Sequence, residues 1–501
     1  MRRQLITITI LVAFVCLSRI PVVSTCLSSH DSVNFALGIK DYAPVVHQPH
    51  PPGYPVYIGL AKLIDLPLNA PLADLLFLSI LFSCVGTVLM YLLGEKLGGE
   101  FAGLLAALFL ASSPLFWAFG AVPLSYTADV AGCLAVAYLC YRVAGGAKGF
   151  LVALTVVIAL AAGVRQSLLV FFLPAWAVAL VSTRSWPTVL RHIFTLFALC
   201  VCWAIPVVVS SGGLNGYVRV SRELYQSAVA PNLFSLKTPV YALTSTLWGL
   251  GASAAGLLLF RRWLHGAGVE RGRSLLKFLL ICWGPSVLFS FAVFFANPGY
   301  ALVFLPCLLL ISALAVSLES RRVRYSLGMG IIAVNSGLFL LIGPLPPNAI
   351  VAGHPTRAVQ SFANFWALDY SRKGVADSRR VEAVLSGVKS HFSPESALVV
   401  VTPGRGTEFH VSPRVAAYYL SAFPMVEMKG GATSIEVSPR IDKIVWLLDV
   451  QDLWANGDGA LVKSLVLGEG SPYSEFAGGR LRYGQCVFSH APGDGLAGKP
   501  D

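Results

Sequence analysis

The chain has 501 residues, of which 56% are hydrophobic and only 12% charged, where soluble domains carry roughly 25%. That composition excludes an ordinary soluble globular protein and makes lipid the solvent for most of the chain. A net charge of +12 points at first to a nucleic-acid partner, but no soluble segment carries a compact basic patch with interleaved aromatics, so none is expected. The excess is one-sided instead: residues 344–501 hold 15 Lys plus Arg and 15 Asp plus Glu, so the whole surplus falls on residues 1–343.

Apolar runs recur from Leu5 to Ile342, each long enough to cross a hydrocarbon core of about 30 Å as a helix. In chain order the expected spans are residues 5–25, 72–94, 101–119, 128–144, 149–165, 167–183, 190–210, 239–260, 275–295, 301–318 and 324–343. The first follows Met1-Arg2-Arg3 as a signal peptide would, but its length and the many later spans favour a retained helix. With the N-terminus inside, the loops expected to be cytoplasmic hold 15 of the 22 cations of this region, among them Arg2, Arg3, Lys96, Lys148, Arg184 and Arg191. Eleven is odd, so the long loop 26–71 and everything beyond 344 are expected on the non-cytoplasmic side. Nine of the ten cysteines lie in or beside spans, and neither a disulfide framework nor a zinc spacing emerges.

Within the first loop, Asp31 to Asp41 predicts a short interfacial helix opening at Asp31-Ser32. Pro51-Pro52-Gly53 and Pro55 then break any helix before a second short apolar segment, Val56 to Ile64. In the tail, a helical stretch from Ser386 to Phe392, a strand Ala397–Thr402, a helix near Val415–Leu420 and a strand Lys443–Asp449 make an α/β pattern. Residues 491–501 are rich in Gly, Pro and charge and are expected to be disordered. The expected architecture is an α-helical polytopic membrane domain (1–343), an extracytoplasmic α/β domain (344–490) and a short tail (491–501).

A charge beside hydrocarbon is expensive, so each ionisable residue on the outer side is a candidate. Asp31 follows His30 a few residues after the first span, where its carboxylate serves either as a catalytic group or as an N-cap. Asp41 lies ten residues further on, about 80° away around a helix, and need not converge with it. His47 and His50 flank Gln48-Pro49 in an extended loop, open to ligation, phosphate contact or plain solvation. Tyr54 sits at the tip of the rigid Pro51-Pro52-Gly53-Tyr54-Pro55 turn, which holds a binding edge or merely enters the next helix. Asp129 starts the fourth span, as a site residue or its cap; Arg165-Gln166 occupies an outer turn, where a guanidinium can grip phosphate bidentately or snorkel. Tyr300, in Asn297-Pro298-Gly299-Tyr300, is either a substrate contact or an interfacial anchor.

Taken in order, the early Asp31, His47-Gln-Pro-His-Pro-Pro-Gly-Tyr-Pro55, Asp129, Gly163-Val-Arg165-Gln166 and Gly299-Tyr300-Ala-Leu-Val-Phe-Leu-Pro306 resemble the C-type (GT-C) membrane glycosyltransferases. The protein O-mannosyltransferase-like members with an HPPGYP-type motif look closest, and the lipid A aminoarabinose transferases are more loosely similar. The resemblance spans roughly residues 5–343 and implies transfer of a sugar from a polyprenyl-phosphate donor to an acceptor outside the cytoplasm. It would make Asp31 the general base or orienting group and Arg165 the ligand of the donor phosphate. Many members carry paired acids in the first loop; here His30-Asp31-Ser32 offers one, so the paired-acid motif that would support a divalent metal is incomplete. A transporter or flippase of lipid-linked sugar and a non-catalytic receptor are the alternatives, but no inverted repeat supports the transporter. The absence of an Asn-X-Ser/Thr site beyond 344 favours a bacterial inner membrane.

Overall fold

The computed structural model describes residues 2–261, 269–344, 362–401, 411–427, 434–438, 440–441, 443–447, 473–475, 480–483 and 486–490. They divide into two units. The first comprises Met1–Val23, Asn34–Pro344 and Trp366–Val375, and the second Ser24–Val33, Leu345–Phe365 and Ala376–Asp501.

The first unit is helical. Its elements are α1 (Arg2–Arg19), most of α2 (His30–Lys40), α3 (Pro55–Leu68), α4 (Pro71–Gly98), α5 (Glu100–Ser112), α6 (Pro114–Phe119) and α7 (Tyr126–Ala144). There follow α8 (Phe150–Val164), α9 (Ser167–Val181), α10 (Trp186–Ser210), α11 (Leu214–Leu224), α12 (Thr238–Leu250), α13 (Ala254–Leu258), α14 (Val269–Leu288), α15 (Leu305–Ser317) and α16 (Arg321–Leu341). Among the described residues six helical stretches are long and apolar enough to cross a membrane, and four shorter apolar helices lie between them. Every expected span contains a helix, but several are interrupted. The 101–119 run divides at Ser113, which the following Pro114 holds in extended geometry while the Ser113 hydroxyl accepts from the Phe116 amide. The 239–260 run divides at Gly251, whose φ of +50° closes α12. Along the 275–295 run, α14 ends in a wide π turn at Phe289–Val293.

Helices α4 and α5 meet closely because both carry glycine at the crossing: a methyl group on Gly94 would come within 2.8 Å of the Gly103 Cα. In lipid, where apolar surface gains little by leaving its solvent, such close backbone approach is a main source of helix association. The segment Trp366–Val375 packs on α12. Trp366 stacks on Tyr241, its carbonyl accepts from the Ser245 hydroxyl, and the Trp248 indole donates to the Tyr370 carbonyl.

In the second unit, strands β1 (Ala397–Val401), β2 (Met425–Glu427), β4 (Lys443–Leu447) and β5 (Tyr473–Glu475) form a sheet in the order β2-β1-β4-β5. Strand β1 runs parallel to both neighbours, with Ala397 opposite Lys443 and Val401 opposite Leu447. All five of its residues are buried, as suits a central parallel strand. Strands β3 (Ser434–Val437), β6 (Arg480–Tyr483) and β7 (Cys486–His490) form a second sheet. The expected helix ending at Phe392 begins earlier, at Ser378, and buries Val381, Leu385 and Val388 along one face. Ser24–Val33 belongs to this unit by direct bonds: the Leu27 amide donates to the Tyr419 hydroxyl and the Cys26 thiol to the Ser378 carbonyl. The expected disordered tail 491–501 and the end of the strand at Asp449 lie outside the described residues.

Candidate functional site

The proline-rich motif forms a tight scaffold between α2 and α3. Ala43 and Gln48 exchange backbone hydrogen bonds of 2.8 and 3.1 Å around a turn at Pro44–Val46, and His47 closes it at a φ of +61°. The Gln48–Pro49 and Pro51–Pro52 peptide bonds are both cis. Gly53 and Tyr54 then take left-handed geometry in succession, at φ +91° and +47°. For a tyrosine that conformation is strained on the order of 1–3 kcal/mol, and it persists only where surroundings hold it. They do so here. The Gly53 amide donates to the His50 carbonyl at 3.0 Å, the Tyr42 hydroxyl donates to the Gly53 carbonyl at 2.8 Å, and the Tyr54 ring meets Phe35 edge-on. Burial, with the nearby Tyr217, pushes the Tyr42 phenol up, so it remains a donor. The result aims the Tyr54 ring at Arg165, 5.7 Å away, while its hydroxyl lies 3.2 Å from His50 Nε2.

Arg165 stands in the break between α8 and α9, in extended geometry (φ −149°, ψ 115°). Its Nε lies 2.7 Å from the Asp129 Oδ2, the Asp129 side chain being wholly buried and that of Arg165 11% exposed. Three tyrosine rings surround the guanidinium: Tyr126 at 4.7 Å, Tyr300 at 5.3 Å and Tyr54 at 5.7 Å. Nη2 reaches toward the Ser125 hydroxyl at 3.5 Å. One carboxylate and three ring faces thus fix a permanently charged, planar donor in a water-poor place, a geometry that suits bidentate capture of a phosphate. The Gln166 amide makes long contacts, 3.5 Å to the Pro52 carbonyl and 3.4 Å to the Tyr217 hydroxyl, tying the motif to the same break.

Tyr126 and Asp129 share a face of α7 at spacing three. Tyr300 comes from the turn Pro298–Val303, which the Asn297 side chain caps by accepting from the Gly299 amide at 2.8 Å. Gly299 is required there, because any Cβ would strike the Tyr126 ring.

Of the residues singled out in the sequence, the structure brings Tyr54, Asp129, Arg165, Gln166 and Tyr300 together, with His50 behind Tyr54. Sequence reasoning missed Tyr126, Ser125 and Tyr217; Tyr126 was within reach, three residues before an acid on a helix. Asp129 is an ion-pair partner rather than a cap. Asp41 is exposed at the end of α2, and His47 serves the turn as its left-handed terminus. Asp31 falls in the second unit, half-buried in the first turn of α2. The capping role open to it belongs instead to Ser29, which exchanges hydrogen bonds with Ser32: each amide donates to the other's hydroxyl, at 3.1 and 3.2 Å. Among the described residues no group of three or more His, Cys, Asp or Glu side chains is placed to hold a metal ion.

Residues 49–209 match the dolichyl-phosphate-mannose-protein mannosyltransferase family. The stretch contains His50, Tyr54, Asp129, Arg165 and Gln166. ArnT from Cupriavidus metallidurans bound to undecaprenyl phosphate superposes with a TM-score of 0.57 at 11% identity, over 91% of this chain and 94% of that one. The chain has the GT-C fold. The same ArnT in its apo state gives a TM-score of 0.55 at 12% identity, over 90% and 91%. The Archaeoglobus fulgidus oligosaccharyltransferase gives 0.45 at 13% identity, over 84% of this chain and 64% of that one. No curated protein sequence matches the chain.

Proposed function

We propose that this GT-C protein is an integral membrane glycosyltransferase that moves a hexose or pentose from a polyprenyl-phosphate donor to an acceptor on the non-cytoplasmic side. One observation carries the reading: a buried arginine, held by Asp129 and ringed by Tyr54, Tyr126 and Tyr300, stands at a helix break in this fold. The similar ArnT binds undecaprenyl phosphate, and a lipid phosphate is the ligand we assign to Arg165. In the reaction, the acceptor hydroxyl oxygen bonds to the anomeric carbon as its proton passes to a carboxylate. The bond from that carbon to the phosphate oxygen breaks with its electron pair. Arg165 stabilises the charge that collects on the departing polyprenyl phosphate. Asp31 is the proposed base by its place in the first loop, an assignment that rests on the sequence.

Purified protein in liposomes, supplied with labelled polyprenyl-phosphate sugar and a cell-envelope extract, tests the reading. Transfer by wild type, with loss of about 100-fold or more in Asp31→Asn, supports both the activity and the base. Transfer by wild type and Asp31→Asn alike removes Asp31 from the mechanism, and no transfer from any polyprenyl-phosphate donor overturns the activity.

A further inference from the structure

The stretch Trp366–Val375 follows the last membrane helix, α16, in sequence, yet it belongs to the first unit. Two donors one turn apart on α12 dock its backbone: the Ser245 hydroxyl donates to the Trp366 carbonyl and the Trp248 indole to the Tyr370 carbonyl, both at 3.0 Å. With the main chain held at both residues, their side chains have settled places, and both are buried.

Each of the two rings heads a file of aromatic contacts that ends on the Arg165 guanidinium. Tyr370 stacks on Phe119 at 4.9 Å, Phe119 meets Tyr126 edge-on at 4.6 Å, and Tyr126 lies 4.7 Å from the guanidinium. Trp366 lies 5.7 Å from Phe295, Phe295 meets Tyr300 edge-on at 6.0 Å, and Tyr300 lies 5.3 Å from the guanidinium. The intermediate rings, Phe119 from α6 and Phe295 from the connection after α14, are buried as well.

Such a file transmits position because a close-packed interior holds few voids. A ring shifts only if its neighbour does, and deleting an outer ring leaves a space toward which the inner rings relax in part. The inner ends have little margin. A cation attracts a ring face only within about 6 Å of its centroid, so a withdrawal of about 1 Å carries Tyr300 out of reach and loosens the hold of Tyr126. A guanidinium less firmly held presents its donors in many orientations rather than one, and bidentate capture of a phosphate suffers. We infer that Trp366 and Tyr370 are positioning residues of the donor site, holding Tyr300 and Tyr126 against Arg165, so that the site is completed from the C-terminal part of the chain. The inference rests on the reading of Arg165 as the ligand of a lipid phosphate.

Equilibrium binding of undecaprenyl phosphate to the purified full chain in detergent tests this, on variants shown to be folded by their unfolding transitions. Y370L is expected to bind about 3- to 10-fold more weakly than wild type, and Y370F, which keeps the ring, to restore the affinity. In the Y126L background Y370L should add no further loss, because the ring through which it acts is gone. W366L in the Y300L background should behave alike, and that pair carries the test if Y370L does not fold. A residue that only stabilises the fold gives either no change in affinity or the same loss in both backgrounds, and either result overturns the inference. D129N/R165Q separates it from the reading beneath. Undiminished affinity in that variant refutes the lipid-phosphate assignment and the inference with it, whereas reduced affinity there with Y370L unchanged refutes the inference alone.

Discussion

At the scale of single residues, the pair Asp129–Arg165 dominates. Removing one member of a buried pair leaves the other charge uncompensated, so Asp129→Ala is expected to destabilise the protein by about 3–5 kcal/mol, while the matched D129N/R165Q variant loses much less. Unfolding in detergent, measured on the single and double variants, checks the difference. The tyrosine rings act on the same guanidinium with smaller individual effects: Tyr126→Leu is expected to weaken donor binding by roughly 3- to 30-fold with little loss of stability, read as an increase in KM. Which of these residues the sequence exposes follows from contrast. A charge at the end of an apolar run is conspicuous, so Asp129 and Arg165 stand out. Their pairing does not, because 36 residues and a whole helix hairpin separate them and only tertiary packing closes that gap. Tyr126 hides for the opposite reason, as one aromatic among many in a hydrophobic chain.

At the scale of elements, the site depends on backbone breaks. Arg165 interrupts two helices, Tyr54 adopts a left-handed turn after Gly53, and Gly299 lets the Pro298–Val303 turn press against Tyr126. Gly299→Ala is therefore expected to displace the Tyr126 ring, costing about 1–3 kcal/mol of stability and lowering transfer. Recovery of stability in G299A/Y126A, without recovery of transfer, would show that the clash is local and that the ring matters. Hydropathy located the helices because lipid solvation imposes a long apolar run, but their interruptions arise from local chemistry. Pro114 splits the expected 101–119 span that hydropathy reads as one run, and the left-handed Gly251 and the π turn after α14 likewise leave no mark in hydropathy. Asp31 shows the same limit, since choosing Ser29 over Asp31 as the cap depends on a reciprocal bond that either residue could have made.

At the scale of the whole molecule, charge bias and the count of spans assign the orientation proposed here. Reporter fusions check it: a fusion after Arg184 should report the cytoplasm and one after Pro344 the opposite side, and the reverse pattern would invert the assignment. The central claim is that Arg165 receives the phosphate of a lipid carrier. Equilibrium binding of undecaprenyl phosphate to the wild type and to D129N/R165Q, each shown to be folded by its unfolding transition, tests it most directly. A charge-assisted hydrogen bond contributes about 1.5–3 kcal/mol, so affinity should fall by about 10- to 150-fold in the double variant. Undiminished affinity in a folded D129N/R165Q protein would contradict the account.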